Sequence, residues 1–284
     1  MPPVLKVLDR SKGWIDKQQE FGVCIHNALT NYSDISWFIQ TLELYKMFGA
    51  QQVFVYHRSS NISSVLDFYE KQGFVTVIPW NVTAIEKGLG NRMRYGYKRL
   101  SLQNDCVLRN IHRFKYLLMH DIDEIIVPYL HENYSAMIQS FPSRAAYRFS
   151  NAFFPLVFID NVTVYENRTG DKDGQMLRYK PVALLATKRL YVWFGGGRWK
   201  MIIRPEKVNL MTTHSAINAT SVYAVLPSEA ILHHFRQGSP IYIRKNKVLK
   251  KNFLETRMYH FKDKYLARLE TTERMMKKSG IAWP

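Results

Sequence analysis

Short apolar segments and longer amphipathic segments alternate through the first 128 residues, and this alternation limits the possible folds more than any other feature. Four apolar segments have the length of strands, and the segments between them repeat apolar residues every three or four positions, which predicts helices. The predicted strands are Phe21–Ile25, Gln52–Tyr56, Phe74–Ile78 and Phe114–His120, and the predicted helices run from Ser33 or Asp34 to Gly49, over Ser63–Gln72 and over about Tyr95–Arg113. Strands and helices in this order, with short connections, predict a parallel, doubly wound α/β sheet.

The second half of the chain has a different rhythm. After Pro128 the predicted strands are shorter, as in Ala146–Phe149 and Val182–Thr187, and the loops are longer and rich in aromatic residues. We expect this half to complete the sheet and to form one wall of a cleft. The 284 residues fit one large domain. We expect residues 1–18 to be a tail or stem remnant and residues 19–284 to be a single domain.

The chain is strongly basic, with 40 Lys and Arg residues against 23 Asp and Glu residues and a formal net charge of +17. A charge of this size usually indicates an anionic partner, and nucleic acid is the first class to consider. The basic residues are scattered, however, and no helix-turn-helix, zinc-finger or RNA-recognition motif accompanies the densest runs, within 244–251 and at 277–278. We therefore expect no nucleic-acid partner, and we interpret the charge as a solvated basic face or a funnel for an anionic substrate.

Seven asparagines stand in the N-glycosylation pattern Asn-x-Ser/Thr, whereas chance placement predicts about 1.6. They are Asn31, Asn61, Asn81, Asn133, Asn161, Asn167 and Asn218. This excess predicts passage through the secretory pathway. No apolar signal region follows Met1, so we expect either that a membrane anchor is missing from this chain or that its start is misassigned. In an oxidising lumen Cys24 and Cys106 could pair, and they could equally be buried free thiols.

Acidic residues directly follow the last predicted strand of the first half, in the run Asp121-Ile122-Asp123-Glu124. Ligands of parallel sheets collect beyond the carboxyl ends of the strands. An extended Asp-x-Asp would direct both carboxylates to one side and Ile122 into the core. Two convergent carboxylates suit a hard divalent cation that bridges a diphosphate. The alternative is that these residues only cap a following helix, but their place after a buried strand favours the metal site.

The same segment carries a resemblance to a known family. Residues 116–128, with the sequence YLLMHDIDEIIVP, resemble the core motif of glycosyltransferase family 92, formerly domain of unknown function 23. Further similar segments follow in the family's order over about Phe21–Gly238. They are Trp37–Ile39, Tyr45–Ala50, Phe68–Gly73, Asn104–Cys106, Lys200–Pro205 and His233–Arg236.

The resemblance implies a GT-A type fold, which is a Rossmann-like, mostly parallel sheet flanked by helices with an acceptor-side extension. It also implies Mn²⁺ or another divalent cation, a UDP-sugar donor, typically UDP-galactose, and inverting transfer to the glycan of a glycoprotein or glycolipid. The full-length protein would then be a membrane-anchored type II protein of the Golgi lumen. Residues 19–128 would form the nucleotide-sugar-binding half, and residues 129–284 the acceptor-side half.

The residues that match the family motifs receive roles from the resemblance. Asp123 would bind the metal, Asp121 would bind it directly or through water, and His234 would be the third ligand. His234 could instead be a hydrogen-bonded core histidine, and the adjacent His233 could take its place. Lys200, Arg204 and Arg236 are expected at the diphosphate, although Lys200 and Arg204 could equally be plain surface residues of an apolar strand. His26 and Tyr56 are expected at uridine or ribose from their positions at the ends of the first two strands.

Inverting transfer also needs a carboxylate base near the acceptor hydroxyl. Glu229, Asp160 and Glu206 are candidates, and the sequence does not choose among them. An aromatic and glycine-rich segment, Trp193–Trp199, could form an acceptor loop in which sugars stack, or it could be a packed hairpin.

Two other function classes stay open. A catalytically inactive relative that binds a glycan or a nucleotide would keep the fold and lose the base or the metal ligands. A metal-dependent phosphoesterase would use Asp121 and Asp123, but that chemistry normally needs further Asp or His ligands in the first half, where only His26 is well placed.

Overall fold

A computed structural model gives the structure of the chain and describes residues 19–80, 91–159, 174–193, 198–236 and 252–284, with the backbone alone for 91–97. In these ranges the strands, in chain order, are β1 (Gln19–Ile25), β2 (Leu29–Tyr32), β3 (Gln52–Ser60), β4 (Val75–Pro79), β5 (Phe114–His120), β6 (Glu124–Pro128), β7 (Ala146–Phe149), β8 (Asn151–Pro155), β9 (Lys188–Arg189), β10 (Val192–Trp193), β11 (Lys200–Ile203), β12 (Leu210–Met211), β13 (Ala216–Ile217), β14 (Val222–Ala224), β15 (Ala230–Arg236) and β16 (Phe253–Leu254). The α-helices are α1 (Ile35–Met47), α2 (Ser63–Lys71), α3 (Asn91–Asn110), α4 (Tyr134–Ser140), α5 (Gln175–Tyr179), α6 (Val182–Leu185) and α7 (Lys262–Lys278).

A mixed eight-stranded sheet forms the centre of the molecule. Its order is β14-β7-β11-β5-β1-β3-β2, and β4 pairs with the other edge of β3. β1 runs parallel to both neighbours, β3 and β5, and β4 runs parallel to β3. β11 runs antiparallel to β5 and β7. The carboxyl ends of β1, β3, β4 and β5 therefore meet at one edge of the sheet, where ligands of such sheets bind.

Alternate residues of the central strands enter two different cores. Phe21, Val23 and Ile25 pack with α1 and α2 on one face of the sheet, whereas Cys24 packs with α3 on the other. This is the period of two that an extended strand imposes on its side chains. The sheet is thus covered by helices on both faces, which explains why β5 is buried over most of its length.

Helix α1 begins and ends where the sequence signals predict. The Asp34 carboxylate accepts a hydrogen bond from the Trp37 backbone N–H at 2.9 Å, which is an N-cap. Gly49 follows the helix with a φ of +99°, a left-handed conformation that favours glycine. Helix α3, on the other face, is joined to β1 by a disulfide between Cys24 and Cys106. The pairing that the sequence left open is therefore present.

A second, four-stranded sheet has the order β10-β8-β15-β6. β15 lies between β6, which runs antiparallel to it, and β8, which runs parallel. β5 of the large sheet and β6 of the small sheet are connected only by residues 121–123. The acidic run of the sequence therefore forms the junction between the two sheets.

The fold class predicted from the sequence is confirmed: the structure is a mixed α/β, GT-A-like arrangement with a mostly parallel central sheet. Two local expectations differ from the structure. Val182–Leu185 is a short helix after Pro181 and not a strand, and β2 was not predicted. The division into a donor half and an acceptor half stays a prediction, and residues 1–18 lie outside the described residues. In the described ranges, no helix combines the length and apolar character that a bilayer crossing needs.

Candidate functional site

Residues Asp121–Glu124 form a tight turn, because the Glu124 backbone N–H donates to the Asp121 carbonyl oxygen at 3.2 Å. The extended conformation expected for this run is therefore wrong. Ile122 is half-buried against the main core, as expected. The turn directs the Asp121 and Asp123 carboxylates to different partners, so the two acids of the motif do not act as one pair of ligands.

Asp121 is surrounded by hydrogen-bond donors. Its Oδ1 accepts from Asn27 Nδ2 at 2.6 Å and from the Arg99 guanidinium at 2.8 Å. Its Oδ2 accepts from Arg99 and from Lys200 Nζ, both at 2.6 Å. These donors come from the end of β1, from α3 and from the start of β11. Asp121 therefore joins three elements at the carboxyl edge of the sheet.

The charges around Asp121 fix its protonation state. Burial alone would raise the pKa of Asp121, but the cations of Lys200 and Arg99 outweigh burial and hold the pKa well below its ordinary value. Burial alone would lower the pKa of Lys200. The carboxylates of Glu124 and Asp121 have the opposite effect, which is larger, so the pKa of Lys200 lies above its ordinary value. At neutral pH the structure thus contains an ionised Asp121 and a charged Lys200, which is only 2% exposed.

Asp123 faces a different residue, His234 of β15. The His234 Nε2 atom lies 3.2 Å from Asp123 Oδ2, and the Asp123 side chain is 33% exposed. β15 reaches this position because it pairs with β6 in a register that places His234 opposite Glu124. The Phe153 ring packs on the other side of the His234 ring, with 4.6 Å between the centroids. The strand pairing therefore brings together two residues that lie 111 positions apart in sequence.

Glu124 lies behind this pair and is 2% exposed. Its Oε1 lies 3.3 Å from His234 Nδ1, and its Oε2 lies 2.8 Å from Lys200 Nζ. The Asp121 backbone N–H also donates to Oε2, at 2.8 Å. Burial raises the pKa of Glu124, and the Lys200 ammonium acts in the opposite direction. Glu124 thus connects the cations around Asp121 to the His234 ring.

The Asn151 amide lies beside the same ring nitrogen. Its Nδ2 is 3.3 Å from His234 Nδ1, while its Oδ1 is buried without a hydrogen-bond partner. A rotation of the amide by 180° exchanges these two atoms and places the oxygen at the ring. With a proton on His234 Nδ1, that orientation satisfies both groups.

A cleft of about 410 Å³ opens on the other side of the turn. It lies at the ends of β1, β3 and β4 and against α3, and its polar and aromatic lining includes His26, Asn27, Arg58, Trp80, Lys98 and Arg99. Asn27 and Arg99 also bind Asp121. The turn therefore contacts the cleft through Asp121, and three cationic side chains, those of Arg58, Lys98 and Arg99, line the cleft.

Comparison with known proteins identifies the family to which the chain belongs. The family model described as Glycosyltransferase family 92 matches residues 19–276. The chain belongs to glycosyltransferase family 92. A curated protein of Caenorhabditis elegans, described as a glycosyltransferase family 92 protein, is 29% identical over 103 residues. The matched segment covers 34% of this chain and 20% of the length of that relative. The chain thus spans about a fifth of the length of this relative.

In this family 92 protein, the ligand atoms of Asp123 and His234 fit a divalent cation. Two ligands about 2.1 Å from one cation and at right angles lie about 3.0 Å apart, close to the 3.2 Å between Oδ2 and Nε2. The described residues contain no cluster of three or more His, Cys, Asp or Glu side chains that could hold a metal. Two protein ligands suffice where substrate phosphates and water complete the coordination shell. Asp121 does not fit as a direct ligand, because both of its oxygens already accept from cations.

Two predicted donor-binding residues lie at the cleft or behind it. His26 is 1% exposed and lines the cleft, and neither of its ring nitrogens has a hydrogen-bond partner. Burial lowers its pKa well below the ordinary value, so the ring is neutral. Tyr56 is fully buried and donates to Asp105 at 2.6 Å, while its ring packs edge-to-face on Trp80. The prediction that Tyr56 touches the nucleotide is therefore wrong, since it supports the cleft wall from behind.

The predicted diphosphate clamps separate along β11. Lys200 lies at the site, but its ammonium is bound to two carboxylates. Arg204 lies at the opposite end, because β11 runs antiparallel to β5 and places Ile203 opposite Leu117. Its guanidinium pairs with Glu206 at 2.9 Å. The expected roles of Arg204 as a clamp and of Glu206 as a base are therefore wrong.

Glu229, a predicted base, also lies away from the site. It precedes β15 at the end where Ala230 pairs with Pro128. Five residues of strand, about 16 Å, separate it from His234. Its carboxylate accepts from the Leu226 backbone N–H at 2.9 Å and so closes a turn. The expectation that it acts as the catalytic base is wrong.

The roles predicted for the remaining residues stay predictions. Arg236 is exposed, two residues beyond His234 on β15, and stays a prediction. Asp160 and residues 194–197 lie outside the described residues. In the predicted acceptor segment, the Trp193 ring packs under Arg198 at 4.5 Å, and the Trp199 ring packs under Arg148 at 4.3 Å. Both the acceptor role and the packing role stay compatible with these contacts.

The sequence reasoning gave no role to Arg99, Asn27 or Glu124. Arg99 gives no local signal, because it is one of several basic residues on a predicted helix. Asn27 stands in the polar run that follows β1, and this position at the carboxyl end of a strand indicates a residue of the site. Glu124 stands within the recognised motif, but its contacts with Lys200 and His234 depend on two distant strands.

Proposed function

We propose that this chain is a divalent-cation-dependent, inverting glycosyltransferase that moves galactose from UDP-galactose onto the glycan of a glycoprotein or glycolipid. The observation that carries the proposal is that the turn 121–124 contacts Asn27 and Arg99 of the basic cleft through Asp121 and also carries Asp123, whose half-buried carboxylate faces His234. A nucleotide in the cleft would extend its diphosphate past this turn toward the pair. Mn²⁺ is the proposed cation, because carboxylate and imidazole are both ligands it accepts.

The cleft supplies the contacts that a nucleoside diphosphate needs. Trp80 presents an aromatic surface, and base stacking on such a ring is worth about 1–3 kcal/mol. The neutral His26 ring has one donor and one acceptor, both buried at the cleft wall without a partner, and uracil or ribose would pair with them after a local movement of the wall. Arg58, Lys98 and Arg99 place positive charge on the walls, which favours an anionic ligand.

The residues around the turn have separate tasks in this proposal. A cation bound at Asp123 and His234 would neutralise the diphosphate leaving group as its bond to the sugar breaks. Asp121 holds Arg99 and Lys200 in place and keeps the cleft wall fixed. Arg236 extends from the strand that carries His234 and would contact the phosphates. Asp160 stays our proposed base for the acceptor hydroxyl.

A transfer assay tests the proposal. The purified chain is incubated with Mn²⁺ and UDP-galactose, with UDP-glucose and UDP-N-acetylglucosamine as competing donors, and with glycan acceptors that include a fucosylated N-glycan. We expect galactose transfer that EDTA abolishes and Mn²⁺ restores. Transfer of another sugar would overturn the donor assignment, and full activity in EDTA would overturn the metal assignment.

The same assay separates the proposal from its alternatives. An inactive binding relative would bind UDP or glycan without releasing UDP from the donor. A phosphoesterase would cleave the diphosphate of the donor and yield UMP, with no glycan product. Either result, at protein concentrations where UDP binding saturates, would contradict the proposed transfer.

We propose that the protein acts in the Golgi or another secretory lumen and that the full-length protein carries a membrane anchor. Asn61 and Asn218 are exposed in their Asn-x-Ser/Thr patterns, whereas the Asn133 side chain caps α4 by accepting from the Ala136 backbone N–H. Expressed in animal cells with a signal sequence, the chain should lose mass on N-glycanase treatment, and glycopeptides should include Asn61 and Asn218. An unchanged mass would contradict the proposed compartment.

A further inference from the structure

We propose that Glu124 is a positioning residue that holds the His234 ring with its proton on Nδ1, so that Nε2 can bind a cation together with Asp123. This inference rests on the proposed metal-dependent function. It assigns a role to a buried acid that belongs to neither the cleft nor the Asp123–His234 pair.

The two oxygens of Glu124 have different partners. Oε2 accepts from Lys200 Nζ and from the Asp121 backbone N–H, both at 2.8 Å. These two donors fix the plane of the carboxylate and direct Oε1 toward His234 Nδ1, 3.3 Å away. Lys200 is itself held by Asp121 at 2.6 Å. The position of Oε1 therefore depends on the same charged network that forms the cleft wall.

A histidine that binds a metal through Nε2 must carry its proton on Nδ1. A carboxylate facing Nδ1 favours that tautomer and fixes the ring orientation, and loss of such a partner typically weakens metal affinity about 10–100-fold. In this structure the opposite tautomer would direct an N–H at Asp123 Oδ2, 3.2 Å from Nε2. That N–H would occupy the space in which the two residues could share a cation.

The substitution Glu124→Gln should reverse the tautomer. Lys200 and the Asp121 backbone N–H are both donors, so the oxygen of the new amide has to stay beside them. Its NH₂ group then faces His234 Nδ1, which becomes an acceptor when the Asn151 amide also directs its Nδ2 at the ring, 3.3 Å away. The ring proton moves to Nε2, and cation binding has to compete with it.

Titration with Mn²⁺ in the presence of UDP, which supplies the phosphate ligands of the proposed site, measures this effect through the electron paramagnetic resonance signal of free Mn²⁺, with UDP alone as the reference. We expect Glu124→Gln to weaken Mn²⁺ binding by about 10-fold or more. Glu124→Asp keeps the negative charge but withdraws the carboxylate from Nδ1, so it should weaken binding as well. Thermal unfolding of each variant shows that the fold is retained at the titration temperature.

A matched control is Glu255→Gln. Glu255 is a partly buried acid that accepts from Tyr129 at 2.7 Å, and Tyr129 in turn contacts His233, the neighbour of His234 on β15. This variant also removes one negative charge near the strand, and its Mn²⁺ affinity should equal that of the wild type.

The outcomes separate the two proposals. Wild-type affinity in Glu124→Asp with weak binding in Glu124→Gln would show that charge alone matters and would overturn the positioning role. Wild-type affinity in both variants would overturn it too. Unchanged Mn²⁺ binding in His234→Ala would instead overturn the metal site on which the inference rests.

Discussion

The two aspartates of the Asp-x-Asp motif have different surroundings, and these predict different effects of mutation. The Asp121 side chain is 14% exposed and faces Lys200 and Arg99, whose side chains are 2% and 13% exposed. Asp123 is more exposed and faces only His234 in the described part of the chain. Asp121 should therefore matter most for stability, and Asp123 for cation binding.

Asp121→Asn leaves two buried cations with one carboxylate fewer, and removal of one partner from such a network costs about 3–5 kcal/mol. We expect the free energy of unfolding in urea to fall by about 3 kcal/mol. Asp123→Asn should change it by less than about 1 kcal/mol and should abolish Mn²⁺-dependent transfer. Equal losses of stability in the two variants would contradict this division of roles.

Buried histidines predict how stability depends on pH. Burial lowers the pKa of His120 to about 4 and the pKa of His233 to about 3, whereas an unfolded histidine has a pKa of about 6.5. Below that value the unfolded chain binds more protons than the folded chain, so stability falls as the pH drops.

We expect the free energy of unfolding to fall by about 2–4 kcal/mol between pH 7 and pH 5, measured by urea denaturation. His233→Gln should reduce the fall, and replacement of the exposed His112 by Gln should not. Stability that is equal or higher at pH 5 would show that these rings are not buried as neutral groups.

At the scale of elements, the sequence predicted the regular strands well and the junctions poorly. β1, β3, β4 and β5 were predicted within a few residues, because each is an apolar run between turn signals. The apolar run at Val182 was misassigned, since a short segment buried on most sides has no clear period. The turn at Asp121 was also missed, because its conformation depends on β6 leaving the large sheet to pair with β15.

The candidate site could be predicted from the sequence only in part. Asp123 and His234 were predicted as partners from the family motifs, and the register of β6 and β15 brings them together. The positions of Arg204 and Glu229 could not be predicted from the sequence. Arg204 is placed by the direction of β11, and Glu229 is placed by the end of β15 that it precedes.

The disulfide joins β1 and α3, and residues of α3 and residues that directly follow β1 line the cleft. Cys24 lies two residues before His26, and Cys106 lies four residues, about one helical turn, after Leu102, which lines the cleft. We expect replacement of both cysteines by alanine to lower the free energy of unfolding by about 2–5 kcal/mol and to weaken UDP binding measured by calorimetry.

Reduction of the wild-type protein should reproduce both effects and should leave the double variant unchanged. UDP affinity that is identical in the double variant and the wild type would show that the disulfide does not hold the cleft walls.

For the whole molecule, the central feature is that one turn connects the two sheets and carries residues of the candidate site. The large sheet provides Asp121 and the cleft, the small sheet provides Glu124 and His234, and Asp123 lies between them. The net charge of +17 suits an anionic donor, although the sequence did not place that charge. The cations of the site come from β3, α3 and β11, which are distant in sequence and meet at one edge of the sheet.

The most direct test of this account is the position of Mn²⁺ in crystals grown with Mn²⁺ and UDP, located from anomalous scattering at the manganese edge. We expect one peak within about 2.3 Å of both Asp123 and His234 Nε2, with UDP in the cleft and with the contact between Lys200 and Asp121 intact. A peak that is bound directly by Asp121, or that lies away from His234, would contradict the account.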